Sequence, residues 1–343
     1  MINLYSDTQT KPCAAMRKAM ADAEVGDEQR GEDPTVNALN AYVAELLGKE
    51  AAVFLPSGTM CNEIALLVHC RPGDEILCDQ TSHILNYEAG GPAALAGAVM
   101  TPIQGKRGVY TSEQLKAAIR PEHRYGPCPR VVEIENTANM GGGTVWPMET
   151  ISAVASVAKE AGLILHLDGA RLLNACASSG VPAKAYAEKM DSAWIDFSKG
   201  LGAPVGAALA GSAEFIHEVW RWKQRLGGAM RQAGVIAAAA LYALQNNQER
   251  LAEDNANARA FAERIANSSA FAIEPATVES NIVIFDLAED GDAATFSARA
   301  EKEAGVRAGA IGPSTLRAVT HLDVGANEVA EAAERLIKLA EAG

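Results

Sequence analysis

The sequence predicts an α/β protein with a mainly parallel sheet and a small α+β domain at its C-terminal end. Between residues 51 and 211, short apolar runs typical of strands alternate with helical patterns, which indicates a parallel sheet covered by helices on both faces. From Leu251 onward the pattern changes to helix, strand, helix, strand and helix. We therefore expect a large domain over residues 1–250 and a small domain over residues 251–343.

Length, composition and charge limit the partners that this chain can have. It has 343 residues, 48% of them hydrophobic, which is enough for a sizeable core. Its net charge of −13 argues against nucleic acid or an anionic membrane surface as a partner, because phosphate binding depends on clustered lysine and arginine. The first residues lack the basic start and apolar core of an export signal, and no apolar run would span a membrane.

The cysteines indicate a reducing environment. All six are scattered along the chain without a Cys-x-x-Cys pair, which is typical of free thiols rather than of a disulfide framework or a zinc ribbon. We therefore expect a cytoplasmic protein.

The first well-defined elements are a helix over residues 34–48 and a strand over residues 51–55. Pro34 suits a first helical turn, apolar residues then recur at helical spacing, and Gly48 closes the helix. The strand ends before Ser57, Gly58 and Thr59, where a second helical run begins. Backbone N–H groups at such a helix start, with Gly58 allowing close approach and Thr59 supplying a hydroxyl, would form a phosphate cradle. An ordinary N-cap would have the same sequence.

A histidine follows the next predicted strand. Residues 75–78 predict that strand, and His83 comes shortly after it, ahead of a turn at 88–91. This placement would direct His83 toward a pocket, although a lone histidine is more often structural than catalytic. The elements predicted further along are helices near 111–119, 149–161, 231–247, 251–266 and 292–304, strands at 131–135, 163–168, 205–211, 281–285 and 316–320, and a final helix.

Two polar residues share one face of the strand at 163–168. His166 and Asp168 are two positions apart, so their side chains point the same way. Metal ligands can have this spacing, but no third cysteine or histidine nearby completes a site, and we predict no metal. The carboxylate at the strand end could hold a cationic ring nitrogen of a cofactor, or it could be a turn aspartate paired with Arg171.

A single lysine, Lys199, follows the strand-like run 192–197 and precedes glycines and a proline that stop regular structure. Open α/β sheets bind their ligands at such strand ends. A lysine there can form a Schiff base with the carbonyl of pyridoxal phosphate (PLP), whereas the alternative is a solvated loop lysine. Because the cradle, Asp168 and Lys199 all lie at strand ends of one predicted sheet, we predict a PLP site. The glycine run 141–143 lacks the dinucleotide fingerprint.

These residues belong to a longer series of motifs that runs in order along nearly the whole chain. The motifs are Asp7-Thr8, Gly26-Asp27, Asp33-Pro34-Thr35-Val36, Phe54-Leu-Pro-Ser-Gly-Thr59, His83, Glu88-Ala-Gly-Gly91, Glu135-Asn-Thr137, His166-Leu-Asp-Gly-Ala-Arg171, Ser198-Lys-Gly-Leu-Gly202, Gly228-Ala-Met-Arg-Gln232 and Val319-Thr-His-Leu-Asp323. The series resembles the threonine aldolases, PLP enzymes that cleave β-hydroxy-α-amino acids into glycine and an aldehyde. The resemblance implies the aspartate-aminotransferase-like fold of PLP-dependent transferases, with a mainly parallel seven-stranded sheet in the large domain.

The resemblance also implies roles for individual residues. Lys199 would carry PLP, Asp168 would hold its pyridine nitrogen, and His83 would lie against the ring and help to remove the β-hydroxyl proton. The remaining implied contacts are Gly58, Thr59 and Ser198 to the phosphate, Ser6, Arg171 and Arg317 to the substrate carboxylate, with Arg171 also near the cofactor, and Arg231 to the phosphate of a neighbouring subunit. A homodimer or homotetramer with shared active sites follows from the last of these.

Other functions could use the same anchors. A β-eliminating lyase or a folate-dependent hydroxymethyl transferase of this fold would keep them, and a PLP-binding regulatory protein would keep Lys199 without turnover. The chain also departs from the family pattern: Arg30 stands where a tyrosine is usual, and Tyr125, with His123 nearby, stands where a histidine is common. Arg30 either pairs with Glu28 or Glu32 on the surface, or favours an acidic substrate side chain such as that of a hydroxyaspartate.

Overall fold

A computed structural model describes residues 1–121, 123–288 and 291–342 of the chain. Its α-helices are α1 Ala14–Ala21, α2 Pro34–Leu47, α3 Gly58–His69, α4 His83–Asn86, α5 Gly91–Ala94, α6 Ser112–Ala118, α7 Met148–Glu160, α8 Leu172–Ser179, α9 Ala183–Ala187, α10 Ala213–Arg225, α11 Gly234–Asn246, α12 Leu251–Ile265, α13 Ala293–Arg299 and α14 Ala326–Glu341. Its strands are β1 Ile2–Asn3, β2 Ala51–Leu55, β3 Asp74–Asp79, β4 Val99–Ile103, β5 Cys128–Glu135, β6 Ile164–Gly169, β7 Ser192–Asp196, β8 Ala207–Gly211, β9 Phe271–Ala272, β10 Ile282–Leu287, β11 Val306–Arg307, β12 Gly309–Ala310 and β13 Thr315–Val319.

Seven strands form the central sheet, in the order β2-β8-β7-β6-β5-β3-β4. Neighbours are parallel except that β8 runs antiparallel to both β2 and β7. Successive strand residues point to opposite faces, and both Val53 and Phe54 are completely buried, in different hydrophobic clusters. Helices therefore cover both faces, and the predicted mainly parallel seven-stranded sheet is confirmed.

A second, antiparallel sheet lies in the C-terminal part, in the order β12-β13-β10-β9. Helices α12, α13 and α14 contribute to its hydrophobic core, which includes Phe261, Phe285 and Leu336. The start of the chain joins this part of the molecule, because β1 pairs in parallel with β11 and Leu4 enters the same core. The sequence patterns do not predict that pairing, and the division at residues 250 and 251 stays a prediction.

Most predicted elements are present with small changes at their ends. The crossover between Asp168 and Lys199 contains two short helices that were not predicted: Gly180, with a φ of 72°, ends α8, and Pro182 precedes α9. Helix α10 was not predicted, although Ser212 caps it by accepting a hydrogen bond from the Phe215 N–H. Strand β4 was also missed, because it is a largely exposed edge strand with a proline in it. Within the described residues, no helix combines the length and apolar composition needed to cross a bilayer.

Candidate active site

A cavity of about 470 Å³ lies at the carboxyl edge of the central sheet. The strands β2, β3, β6 and β7 point the same way, so the residues that follow them meet at one edge. The cavity is lined by nine of the predicted site residues: Ser6, Gly58, Thr59, His83, Asp168, Arg171, Ser198, Lys199 and Arg317. The structure therefore brings predicted site residues that are spread along more than three hundred positions to one cavity, and their individual roles stay predictions.

The amine of Lys199 lies 3.2 Å from Oδ2 of Asp196 and 5.7 Å from the centre of the Trp194 ring. Asp196 also accepts hydrogen bonds from the Ser198 N–H and hydroxyl, both at 2.7 Å. The lysine is thus held inside the cavity rather than solvated in a loop, which contradicts the alternative considered above. Sequence reasoning missed Asp196, although it ends the strand that leads to Lys199.

Asp168 is 1% exposed and is held by two donors. Its Oδ2 accepts from the Asn62 amide at 2.8 Å, and its Oδ1 accepts from the Ala170 N–H at 3.0 Å. The alternative pairing with Arg171 is not observed, since that guanidinium is bound by Asp7 instead. A buried carboxylate with fixed orientation, facing a cavity, suits the predicted contact with a protonated ring nitrogen.

His83 forms a pair with Glu88 that the sequence did not predict. Its Nδ1 lies 2.9 Å from Oε1 of Glu88, whose side chain is fully buried. Because an ionised carboxylate only accepts, Nδ1 carries the proton and Nε2 keeps a free lone pair. Burial lowers the pKa of His83, but the hydrogen bond with Glu88 and the charges of Asp168, Glu88 and Glu135 together raise it above the usual histidine value. His83 is therefore a strengthened base.

The two predicted carboxylate-binding arginines have different environments. Arg171 donates from Nε and Nη2 to both oxygens of the buried Asp7, at 2.8 and 2.6 Å. Arg317 donates from Nη1 to Asn139 at 2.9 Å, and its buried Nε has no partner in the described part of the chain. Burial and the charge of Arg171 lower the pKa of Arg317. Arg317 thus has more free hydrogen-bonding capacity for an anion than Arg171 has.

The helix start at Gly58 has room for a phosphate. Ser57 is the N-cap of α3, and its hydroxyl accepts from the Met60 N–H at 3.2 Å. The first N–H groups of a helix have no partner within it, so those of Gly58 and Thr59 can bind an anion. A Cβ at Gly58 would overlap the Trp194 ring. The cradle, the lysine and the oriented Asp168 carboxylate together fit PLP.

Arg30 and Arg231 do not line the cavity of their own chain. Arg30 is highly exposed and pairs with Glu32 at 3.1 Å, and the exposed Arg231 pairs with Asp27 at 2.9 Å. The two segments are joined by a hydrogen bond from the Glu28 N–H to the Arg231 carbonyl. Both arginines therefore lie on one outer surface. Tyr125 is 81% exposed and also lies outside the cavity.

Three buried carboxylates cluster at the cavity; two of them, Glu135 and Asp168, line it, and only Asp168 was predicted as a site residue. Ligand atoms of Glu133, Glu135 and Asp168 lie within 4.8 Å of one another. Glu135 is held by the N–H groups of His83 and Asn139, at 2.6 and 2.7 Å. Burial and the charge of Asp168 raise the pKa of Glu135 to about 7. Sequence motifs do not predict this group, because its members are carboxylates on β5 and β6 that come together only through the pairing of those strands.

The chain is similar to known proteins along most of its length. The model of the beta-eliminating lyase family matches residues 3–288. The low specificity L-threonine aldolase of Escherichia coli (strain K12) is 40% identical over 334 residues, which cover 97% of each chain. The low-specificity L-threonine aldolase 1 of Arabidopsis thaliana is 41% identical over 298 residues, covering 86% of this chain and 83% of its own. A threonine aldolase structure from Leishmania major has a TM-score of 0.85 at 21% identity, covering 99% of this chain and 100% of that one, and shows the same fold.

Proposed function

Since this chain belongs to the beta-eliminating lyase family, we propose that it is a PLP-dependent aldolase that cleaves threonine and related β-hydroxy-α-amino acids into glycine and an aldehyde. It is a carbon–carbon lyase. The observation that carries the proposal is that Lys199, Asp168 and the Glu88-paired His83 lie in one cavity. Its relatives of about 40% identity named as threonine aldolases support the same activity.

Different residues of the cavity would bind different parts of PLP. Lys199 would hold it through its amine, Asp168 through the ring nitrogen, and the N–H groups of Gly58 and Thr59, with Ser198, through the phosphate. When bound, PLP supplies a sink for the electron pair released as the Cα–Cβ bond breaks. Asp168 keeps the ring nitrogen protonated, and its two hydrogen-bond donors prevent it from turning away.

His83 removes the proton from the β-hydroxyl group as the aldehyde leaves. The proton goes to Nε2, because Nδ1 already carries the proton donated to Glu88. Glu88 then stabilises the positive charge that forms on the ring, in keeping with the raised pKa of His83. The His83–Glu88 pair thus supplies a base that can accept a proton near neutral pH.

Arg317 and Arg171, with Ser6, bind the substrate carboxylate. Asp7 fixes the plane of the Arg171 guanidinium, while Arg317 approaches from the C-terminal sheet. Two fixed cations orient the bound amino acid, and its orientation selects which bond at Cα is broken. This clamp therefore favours cleavage toward glycine over loss of the α-proton or of carbon dioxide.

Two finer features complete the proposal: the chain forms a homodimer or homotetramer with shared active sites, and it works in the cytoplasm. Arg231 is exposed and does not line the cavity of its own chain, which supports a contact with the cofactor phosphate of a neighbouring subunit. Arg30 has the same position outside the cavity, which supports a contact with a substrate across a subunit boundary. The six free cysteines support a reducing compartment.

The experiment is a product analysis of the PLP-loaded protein with L-threonine and L-allo-threonine, without added folate. We expect glycine and acetaldehyde in equal amounts, and no product from the Lys199→Ala variant. Ammonia and 2-oxobutanoate would instead identify a β-eliminating lyase. Dependence on a tetrahydrofolate would identify a hydroxymethyl transferase, and binding of PLP without any turnover would favour a regulatory protein.

A further inference from the structure

One amide side chain connects the two catalytic carboxylates of the site. The Nδ2 atom of Asn62, a fully buried residue on α3, lies 2.8 Å from Oδ2 of Asp168 and 2.8 Å from Oε1 of Glu88. The first carboxylate lines the cavity and would hold the ring nitrogen of the cofactor, and the second orients His83. The two N–H groups of a single amide can therefore serve both at once.

The direction of this amide is determined by its other neighbours. Asn62 Oδ1 lies 2.6 Å from Nε1 of Trp194, and an indole nitrogen can only donate a hydrogen bond. The oxygen must therefore face Trp194, and both N–H groups must face the carboxylates. The same oxygen lies 3.0 Å from Nε2 of His166, so His166 must carry its proton on Nε2.

The hydrogen bonds continue from His166 along the same face of the sheet to His69, the last residue of α3. With Nε2 protonated, Nδ1 of neutral His166 accepts from the Ser192 hydroxyl at 2.8 Å. The same hydroxyl then accepts from Nε2 of His69 at 2.8 Å. Burial and the charge of Arg130 lower the pKa of His69 to about 4, and burial lowers that of His166 to about 3. Both rings are neutral at neutral pH, as this arrangement requires.

We infer that Asn62 is a positioning residue for the aldol cleavage, oriented by the chain His69–Ser192–His166 and by Trp194 so that one amide holds both Asp168 and Glu88. The effect on aldol cleavage rests on the proposed function, whereas the hydrogen bonds of Asn62 do not depend on it. Without the amide, Asp168 and Glu88 each lose a hydrogen bond that fixes their orientation; the Ala170 N–H still contacts Asp168, and His83 still contacts Glu88. Cofactor anchoring and proton removal would then weaken together.

A neutron crystal structure of the holoenzyme tests the direction of the chain without any substitution. We expect deuterium on Nε2 of His166 and on Nε2 of His69, and two deuterons on Asn62 facing the carboxylates. Deuterium on Nδ1 of His166 would mean that the amide is reversed, and it would overturn the inference. This result does not depend on which reaction the enzyme catalyses.

The Asn62→Ala variant tests the consequence. Because hydrogen bonds to charged groups are the stronger ones, we expect kcat to fall by about 10-fold or more and PLP affinity to fall by a similar factor, while KM for threonine changes by less than about 3-fold. The matched control is Asn257→Ala, which truncates another buried helical asparagine whose Nδ2 has no partner in the described residues.

The two measurements separate failure of the inference from failure of the proposed function. Equal kcat and equal PLP affinity for the Asn62 and Asn257 variants would overturn the inference, even if threonine is cleaved. If the unsubstituted protein does not cleave threonine, the proposed function fails, while PLP affinity still reports on the Asp168 contact. If Asn62→Ala does not fold, the neutron structure of the unsubstituted holoenzyme still tests the direction of the Asn62 amide.

Discussion

Nδ1 of His83 lies 2.9 Å from a carboxylate oxygen of Glu88, and the Glu88 side chain is fully buried beneath it. About a third of the histidine side chain remains exposed, His83 lines the cavity, and its Nε2 has no hydrogen-bond partner among the described residues. His83 is thus a base that a substrate in the cavity can contact, and the carboxylate of Glu88 that supports it is shielded from solvent.

The His83→Phe variant should retain PLP and lose cleavage by about 10²-fold or more, the usual effect of removing a general base. In Glu88→Gln, the lost charge lowers the His83 pKa. The acid limb of kcat/KM, which rises as His83 loses its proton, should therefore move to lower pH, with a reduced maximum. The measurement is kcat/KM for threonine between pH 5 and 9. An acid limb that stays in place would show that His83 is not the titrating base.

Lys199 is expected to carry the cofactor covalently. The purified protein should be yellow, and borohydride should fix PLP to it, whereas Lys199→Ala should lose both the visible band and the fixed label. Absorption spectra and the mass of the intact protein measure this. A borohydride-fixed label that persists in Lys199→Ala would place the cofactor on another amine.

Shared active sites predict complementation between inactive subunits. Lys199→Ala lacks the cofactor lysine, and Arg231→Ala lacks the residue assigned to the neighbour's phosphate. Random mixing of the two gives about a quarter of sites with both residues intact, so a corresponding part of the activity should return. The assay is threonine cleavage after co-refolding, with hybrids verified by mass. Verified hybrids without activity would indicate self-contained sites.

Arg30 tests substrate choice at the subunit boundary. If it faces the substrate side chain of a neighbouring site, Arg30→Tyr should shift kcat/KM toward threonine and away from β-hydroxyaspartate by about 10- to 150-fold, the value of one charge-assisted hydrogen bond. Glu32→Gln, which removes only the surface partner, is the control. An unchanged ratio in Arg30→Tyr would leave Arg30 as a surface charge, whose pair with Glu32 contributes little.

Glu63 should make stability depend on pH. It is 5% exposed, and burial and the charge of Glu88 raise its pKa to about 8, whereas the unfolded chain titrates near 4.5. As pH rises through that interval, the unfolded state releases a proton that the folded state keeps, so stability falls. Glu63→Gln removes this loss, and its advantage should grow by roughly 1–3 kcal/mol between pH 5 and 8.

Urea unfolding at the two pH values measures the effect on Glu63, with the exposed Glu45→Gln as the control. A stability difference between Glu63→Gln and the unsubstituted protein that is the same at both pH values would contradict the prediction.

The sequence was informative where a residue's role depends on its place in an element. Gly58, Asp168 and Lys199 each follow or end a strand, so alternating patterns alone bring them to one edge of the sheet. Asn62 could not be found in this way, because it appears as one polar position on an apolar helix. Its importance comes from contacts with Asp168 and Trp194, more than a hundred positions away in the chain.

Orientation within the site was equally hidden from the sequence. Arg171 was predicted as a substrate ligand, but its bidentate contact with Asp7 depends on how the N-terminal arm folds back. For Arg30 and Arg231, the sequence predicts contacts that the single folded chain does not contain. Their motifs point to an active site, and the folded chain keeps both on its own outer surface.

The parallel pairing of β1 with β11 places the start of the chain beside residues that are synthesised near its end. Asp7, just after β1, also accepts a hydrogen bond from Asn281 while it holds Arg171. On the ribosome, β1 must therefore wait without its strand partner until Val306 and Arg307 have emerged. Contacts between residues so distant in sequence form slowly, because closing the long loop between them costs entropy before the contacts stabilise the fold. A ribosome-bound nascent chain that ends before β11 would thus contain Asp168, Arg171 and Lys199 of the site, but the N-terminal arm that brings Asp7 to Arg171 would lack the strand that pairs with it.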